Sequence, residues 1–229
     1  MFSRNNYSYI IIIAVIIVIL GTIMIVQQIN QQKLNLVDDF FTSTSTSLNN
    51  LIPVNYNDHV QGNRQAKIKI IEYGDLECSV CANFNPIMQE INKKYNNQIQ
   101  WVYRHFPITS IHAQAADAAI ASECVADLGG EAKFWQFINA VFANQKLLGL
   151  SLYQQLAAEL NIDQQKFINC LESGQFSSKV NAHRNNAIES GATGTPFVVI
   201  ELPDGTRDSF SGLASFEEMD LIIGGYFSK

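Results

Sequence analysis

Cys78 and Cys81 stand three residues apart in Cys78-Ser79-Val80-Cys81. On a helix, residues i and i+3 share a face, so two thiols at this spacing can close a small disulfide ring and open it again. The pair lies where an apolar run over residues 67–73 (KIKIIEY) gives way to a helical pattern over residues 79–95. That junction puts Cys78 at a helix N-terminus, where unpaired N–H groups and the helix dipole favour thiolate over thiol. The thiolate is the attacking species in thiol–disulfide exchange. Cys81, a turn deeper, would be the shielded partner that resolves a mixed disulfide. Two other chemistries use such a pair. A structural zinc site needs two further Cys or His ligands, and Cys124 and Cys170 are each isolated, so neither metal nor another cofactor is expected. A tethered copper chaperone is the alternative from a different class, since soft thiolates suit Cu(I), but no third His or Met ligand is evident nearby.

Residues around the pair extend the redox reading. Glu72 lies six positions before Cys78, flanked by Ile70, Ile71 and Tyr73. A carboxyl in such a strand is expected to be buried with a raised pKa, and could take the proton of Cys81 when that thiol attacks. Pro86 falls inside the helical pattern, whose apolar spacing continues to Ile91. Gly194-Thr195-Pro196 immediately precedes the strand-like run FVVIEL. His59, His105, His112 and His183 are scattered; His105 and His112 could approach the pair after the second strand, but such residues are more often loop or cap residues, and none receives a role.

The elements that must position these residues follow from periodicity. Strands are expected over 67–73 and 100–105, with the helix over 79–95 between them, and a strand–helix–strand opening favours a parallel pair. Residues 113–190 read as helices at about 113–128, 131–145, 151–160, 163–173 and 176–190, with breaks at Gly129-Gly130, Gly149 and Gly174. Residues 197–202 and 207–210 read as a hairpin across Pro203-Asp204-Gly205. A last helix is expected over 215–226, with Ser215 as N-cap and Glu218 three residues on.

The chain has 229 residues and a net charge of −6, which offers nucleic acid no basic patch. Residues 9–26 form an 18-residue apolar run, spanning about 27 Å as a helix. It is longer than a signal-peptide core, no A-x-A-like site follows it, and Gln27-Gln28 comes next, so an uncleaved anchor is expected rather than a cleaved signal. Arg4 precedes the run while Asp38 and Asp39 follow it, which leaves the N-terminus in the cytoplasm. The expected organisation is a cytoplasmic stub (1–6), a transmembrane signal anchor (7–26), a polar linker (27–56) with a short helix at 33–41, and an α/β domain (57–229).

Taken together, these motifs resemble the DsbA-like thiol:disulfide oxidoreductases, over about residues 58–229. Thioredoxin-fold enzymes carry an acidic residue at the offset of Glu72 and a proline at that of Pro86. Gly191 to Pro196 resembles their cis-proline loop, so Thr195 and Pro196 are implied to bind an extended substrate segment. The series Tyr103-Arg104-His105-Phe106-Pro107, Ala115-Ala116, Ala118-Ala119, Cys124, Lys133-Phe134-Trp135 and Asn144-Gln145 resembles the branch with a helical insertion. The implied fold is α/β and thioredoxin-like, a mixed central sheet with an all-helical insertion before the cis-Pro strand. One transmembrane helix would precede it. The implied activity is disulfide exchange, in the direction of formation, in exported proteins. A single pass through the cytoplasmic membrane would place the domain in the periplasm or an equivalent space. Reduced or misoxidised exported proteins would be the substrates, and a DsbB-type membrane protein the redox partner. Reductase and isomerase activities use the same residues. Cys124 and Cys170, each on an apolar helical stripe, are either a second, structural disulfide or buried thiols, and an oxidising compartment favours the disulfide. One departure stands out: Ser79-Val80 replaces the Pro-His often found in strong oxidants of the family. The Cys78 pKa is expected between about 3.5 and about 7.

Overall fold

A computed structural model describes residues 4–40 and 47–227 of the chain. They fall into two compact units, one of Met1–Phe41 with Leu221–Lys229, the other of Thr42–Asp220. The first holds α1 (Arg4–Phe40), a single helix of 37 residues. Within it Ile10–Ile29, 20 residues with none buried, is long and apolar enough to cross a bilayer. The polar linker expected from residue 27 onward is corrected in part: its first stretch continues α1 to Phe40. No Gly or Pro lies between residues 27 and 40, so nothing stops propagation once the apolar turns have nucleated the helix. Residues 41–46, with most of the Ser/Thr run, lie outside the described residues.

The second unit is built on a five-stranded sheet of order β1-β3-β2-β4-β5. Its strands are β1 (His59–Gly62), β2 (Ile68–Gly74), β3 (Ile99–His105), β4 (Phe197–Glu201) and β5 (Arg207–Ser211). β2 and β3 run parallel, and every other pair is antiparallel. The strands anticipated from periodicity appear within a residue or two. The edge strand β1 was not anticipated, because four residues reading His-Val-Gln-Gly carry no alternating signal.

Helix α2 (Ser79–Tyr95) links β2 to β3, and runs through Pro86 without ending there. Five helices then stand between β3 and β4: α3 (Ala115–Gly129), α4 (Glu131–Ala143), α5 (Leu150–Glu159), α6 (Gln164–Ser173) and α7 (Ser177–Glu189). The chain's last helix, α8 (Phe216–Phe227), opens with the expected capping box. The Ser215 N–H donates to Glu218 (2.7 Å) and the Glu218 N–H to Ser215 Oγ (3.2 Å). Cys124 on α3 and Cys170 on α6 form a disulfide, with an S–S distance of 2.01 Å and Cα atoms 5.9 Å apart.

Strand alternation sorts the core into two faces. Ile71, Tyr73, Val102, Phe197 and Val199 pack with Leu48, Leu51 and Ala187 of α7. On the opposite face Trp101 packs at a tilt against Trp135 of α4 with centroids 4.6 Å apart, and Tyr103 meets Phe134, Trp135 and Phe142. Buried charges join the sheet to the helices. Arg104 forks onto both carboxylate oxygens of Asp58 (2.8 and 2.9 Å) and donates to the Tyr73 hydroxyl, which donates in turn to Asn186. Glu123 of α3 accepts from Lys179 of α7 (2.8 Å) and pairs with His59 (3.0 Å) and His105 (3.2 Å). All of these carboxylates have partners, as burial of charge demands.

Candidate active site

Sheet register brings the two halves of the site together. β2 and β4 are antiparallel neighbours with Tyr73 opposite Phe197. The chain leaving β2 and the chain entering β4 therefore emerge side by side at one end of these two interior strands. The first carries Asp75 to Cys81, the second Gly194 to Pro196. The Thr195–Pro196 peptide bond is cis, and the Pro196 carbonyl accepts from the Gly212 N–H (2.8 Å). Cys78 Sγ lies 3.5 Å from the Thr195 carbonyl oxygen, across 117 residues of sequence.

The turn from β2 into α2 is organised by Asp75. Its carboxylate accepts from the Glu77 N–H (2.8 Å), an Asx turn, and its carbonyl accepts from the Cys78 N–H (3.1 Å). Its own N–H points at Cys81 Sγ (3.5 Å). Gln145, just past α4, donates to the carbonyls of Leu76 (3.0 Å) and Cys78 (2.9 Å), pinning the same turn from the helical insertion. Cys78 is thereby held as the N-cap of α2.

The two sulfurs are both unpaired thiols but unequal ones. Cys78 is 7% exposed and Cys81 fully buried. The Cys78 thiol is pulled down to about 5. The hydrogen bond from the Cys81 thiol contributes most, burial opposes, and Thr195 with the N–H groups of Cys81 and Val80 adds to the lowering. Cys81 is pushed well above the usual thiol value by burial first, then by its hydrogen bond to Cys78 and the nearby charge of Glu72.

Glu72 sits fully buried on the sheet face covered by α2, beside Trp101 and Tyr103. Burial raises its carboxyl to about 8, against the hydrogen bond that Trp101 Nε1 donates to Oε2 (2.9 Å). Oε1 has no hydrogen-bond partner among the described residues. A carboxyl in that state can give or take a proton near neutrality. Tyr103 is packed so closely on the end of β2 that a Cβ on Gly74 would fall 2.6 Å from its hydroxyl.

Cys78, Cys81, Glu72, Thr195 and Pro196 thus converge, whereas Cys124 and Cys170 stay apart from them as a cross-link within the helical insertion. Asp75, Trp101 and His112 carried no expected role here, and Gln145 was expected only as part of the structural cap that the resemblance implies. The Asx-turn signal of Asp75 before a helix was readable; the other three are set by register and tertiary packing. His105 lies with Glu123, and His183 beside it with ring centroids 6.1 Å apart. Among the described residues no cluster of three or more His, Cys, Asp or Glu side chains is placed to hold a metal ion.

Comparison with known proteins gives a consistent picture of the fold. The family model described as Thioredoxin matches residues 55–220. Among solved structures, alpha-DsbA1 of Wolbachia pipientis is 26% identical with a TM-score of 0.69, covering 80% of this chain and 96% of that one. DsbA2 of Pseudomonas aeruginosa, 24% identical with a TM-score of 0.62 over 76% of this chain and 95% of that one, shares the fold. Among curated sequences, the Na(+)/H(+) antiporter NhaA 1 of Salinispora arenicola is 32% identical over 147 residues, 64% of this chain and 22% of that protein. The chain spans about a fifth of the length of the curated relatives it matches.

Proposed function

The chain belongs to the thioredoxin family, on its DsbA-like branch, and from that premise we propose that it is a membrane-anchored protein disulfide oxidoreductase that forms disulfides in exported proteins. The observation that carries the reading is the Cys78 thiol, lowered to about 5 and 3.5 Å from the Thr195 carbonyl beside cis-Pro196. In the oxidised enzyme a substrate thiolate attacks Cys78 Sγ. The Cys78–Cys81 bond breaks, a substrate–Cys78 disulfide forms, and Cys81 leaves with the electron pair. Neutral Glu72 hands Cys81 its proton. A second substrate thiolate then attacks the substrate sulfur and displaces Cys78 as a thiolate. The substrate has lost two electrons and the enzyme pair has gained them. A thiolate this stable leaves readily and favours the reduced enzyme, which is what makes a disulfide oxidising.

Thr195 and Pro196 would align the substrate as an added strand at the edge left by the cis bond. Residues 7–26 would serve as signal anchor, with residues 1–6 in the cytoplasm and the domain from residue 57 outside. A DsbB-type membrane protein would accept the electrons and restore the disulfide. The antiport named for the curated relatives is not carried over, because the match covers so little of them.

Two assays on one sample test the direction: oxidative refolding of a reduced substrate, and reduction of insulin. The expected result is fast refolding with weak insulin reduction, both abolished by Cys78→Ser. Unchanged rates in that variant would end the enzymatic reading, and strong insulin reduction would reverse its direction.

A further inference from the structure

Neither residue between the two cysteines can carry a positive charge: they are Ser79 and Val80. The first turn of α2 supplies no counter-charge, and Glu77 and Asp75 place carboxylates within three residues of Cys78 on its N-terminal side. Hydrogen bonds and the helix N-terminus favour the thiolate, but no side-chain cation within the turn offsets these carboxylates. The loop after β3 delivers one. His112 Nδ1 lies 2.8 Å from Asp75 Oδ2, and that same oxygen accepts from the Ile108 N–H (2.8 Å). Asp75 thus clamps both ends of the 108–112 turn, whose His112 N–H donates to the Ile108 carbonyl (3.0 Å). The same Asp75 holds the Cys78 N–H through its carbonyl and faces Cys81 Sγ with its own N–H. One residue therefore ties the imidazole, through its fully buried carboxylate, to the turn that carries both cysteines, which its backbone carbonyl and N–H hold at the Cys78 N–H and Cys81 Sγ, with the His112 side chain 20% exposed to solvent.

We propose that His112, oriented by Asp75, is a positioning residue that supplies the Cys78 thiolate with its counter-charge from outside the Cys-x-x-Cys motif. The proposal deepens the oxidoreductase reading and rests on it. The groups acting on His112 are all anionic. Burial works against its charged form, but the hydrogen bond and charge of Asp75, then the charges of Cys78 and Glu77, outweigh that and raise its pKa above the usual histidine value. Cys78 loses its proton near 5. Both charges are therefore present together from about that pH to above the usual histidine value, and the imidazolium is lost as His112 deprotonates.

The test uses the full-length reduced protein in detergent. Thiolate absorbance is titrated for the parent, His112→Gln and His112→Arg, with thermal melts as fold control. The expected result is a rise of the Cys78 pKa by about one unit in His112→Gln, and a return towards the parent value in His112→Arg. A parent-like titration in His112→Gln, or an equal rise in His112→Arg, overturns the proposal. Should the variants melt early, the alkylation rate of Cys78 in the parent decides. A second step above the thiolate step, where the imidazolium is lost, supports the pair, and a single step refutes it. Failure of the enzymatic reading would look different: the parent would not oxidise substrate, while these titrations would still report on His112.

Discussion

Glu72 is the residue whose environment makes the sharpest demand. Its native pKa of about 8 lies above the usual carboxyl value of 4.5, because burial disfavours the charge. The folded chain therefore keeps a proton that the unfolded chain gives up. Its linkage contribution is fully present below pH 4.5 and lost as pH rises through 8, so stability declines over that interval. Glu72→Gln keeps the shape and an acceptor for Trp101 while removing the ionisation. Urea unfolding at pH 7 should show the variant more stable by about 3 kcal/mol, with the difference vanishing near pH 4. Catalysis should move the other way. Release of Cys81 without its proton donor should slow by roughly 100-fold, seen as a loss of single-turnover oxidation rate at pH 7. An equal rate in the variant would remove Glu72 from the proton path. At this scale the sequence was generous: spacing singled out both cysteines, the apolar flanks of Glu72 marked it as buried, and the family resemblance added Pro196. The sequence placed His112 within possible reach of the site after the second strand but gave it no role, because nothing in residues 106–114 signals that Asp75 would fold against them.

Between elements, the turn that presents Cys78 depends on a neighbour distant in sequence. Gln145 satisfies two carbonyls of that turn from the end of α4. Gln145→Ala would leave both acceptors without their donor in a half-buried site. The expected cost is about 1–3 kcal/mol in denaturant unfolding, with faster amide exchange confined to residues 76–79. Exchange that stays unchanged there would show that α2 holds the turn unaided. Elements with strong periodicity or firm punctuation were legible: β2, α2, the β4–β5 hairpin and the five inserted helices with their glycine breaks. Two were not fully so. β1 is too short and too polar to announce itself, and it forms because β3 offers an open edge. The extension of α1 to Phe40 was legible only in part: residues 33–41 read as a short helix, but the polar stretch before them reads as linker, whereas a helix already nucleated by apolar residues meets no Gly or Pro there.

At the scale of the whole catalytic unit, the buried charges between sheet and helices set the response to acid. Glu123 and Asp58 have lowered values: burial opposes ionisation, but His105 and His59 outweigh it for the first and Arg104 for the second. His183 is pushed down to about 3, by burial first and then by neighbouring cations. Carboxylates with depressed values give stability that is present above their unfolded values and lost as pH falls through the native ones. A depressed histidine does the same from pH 6.5 downward. His59, raised by its glutamates against burial, works in the opposite sense and is outnumbered. Measured in the Glu72→Gln background, the urea midpoint should drop steadily from pH 7 to pH 3, amounting to roughly 2–4 kcal/mol. A flat profile would mean that the seam stays solvated. The Cys124–Cys170 bridge in the inserted helices has a consequence of another kind. On the proposed reading, an enzyme that makes such bonds emerges from synthesis without its own. Each new copy then needs an oxidant before its inserted helices are cross-linked, and a finished copy of the same enzyme is one candidate for that service.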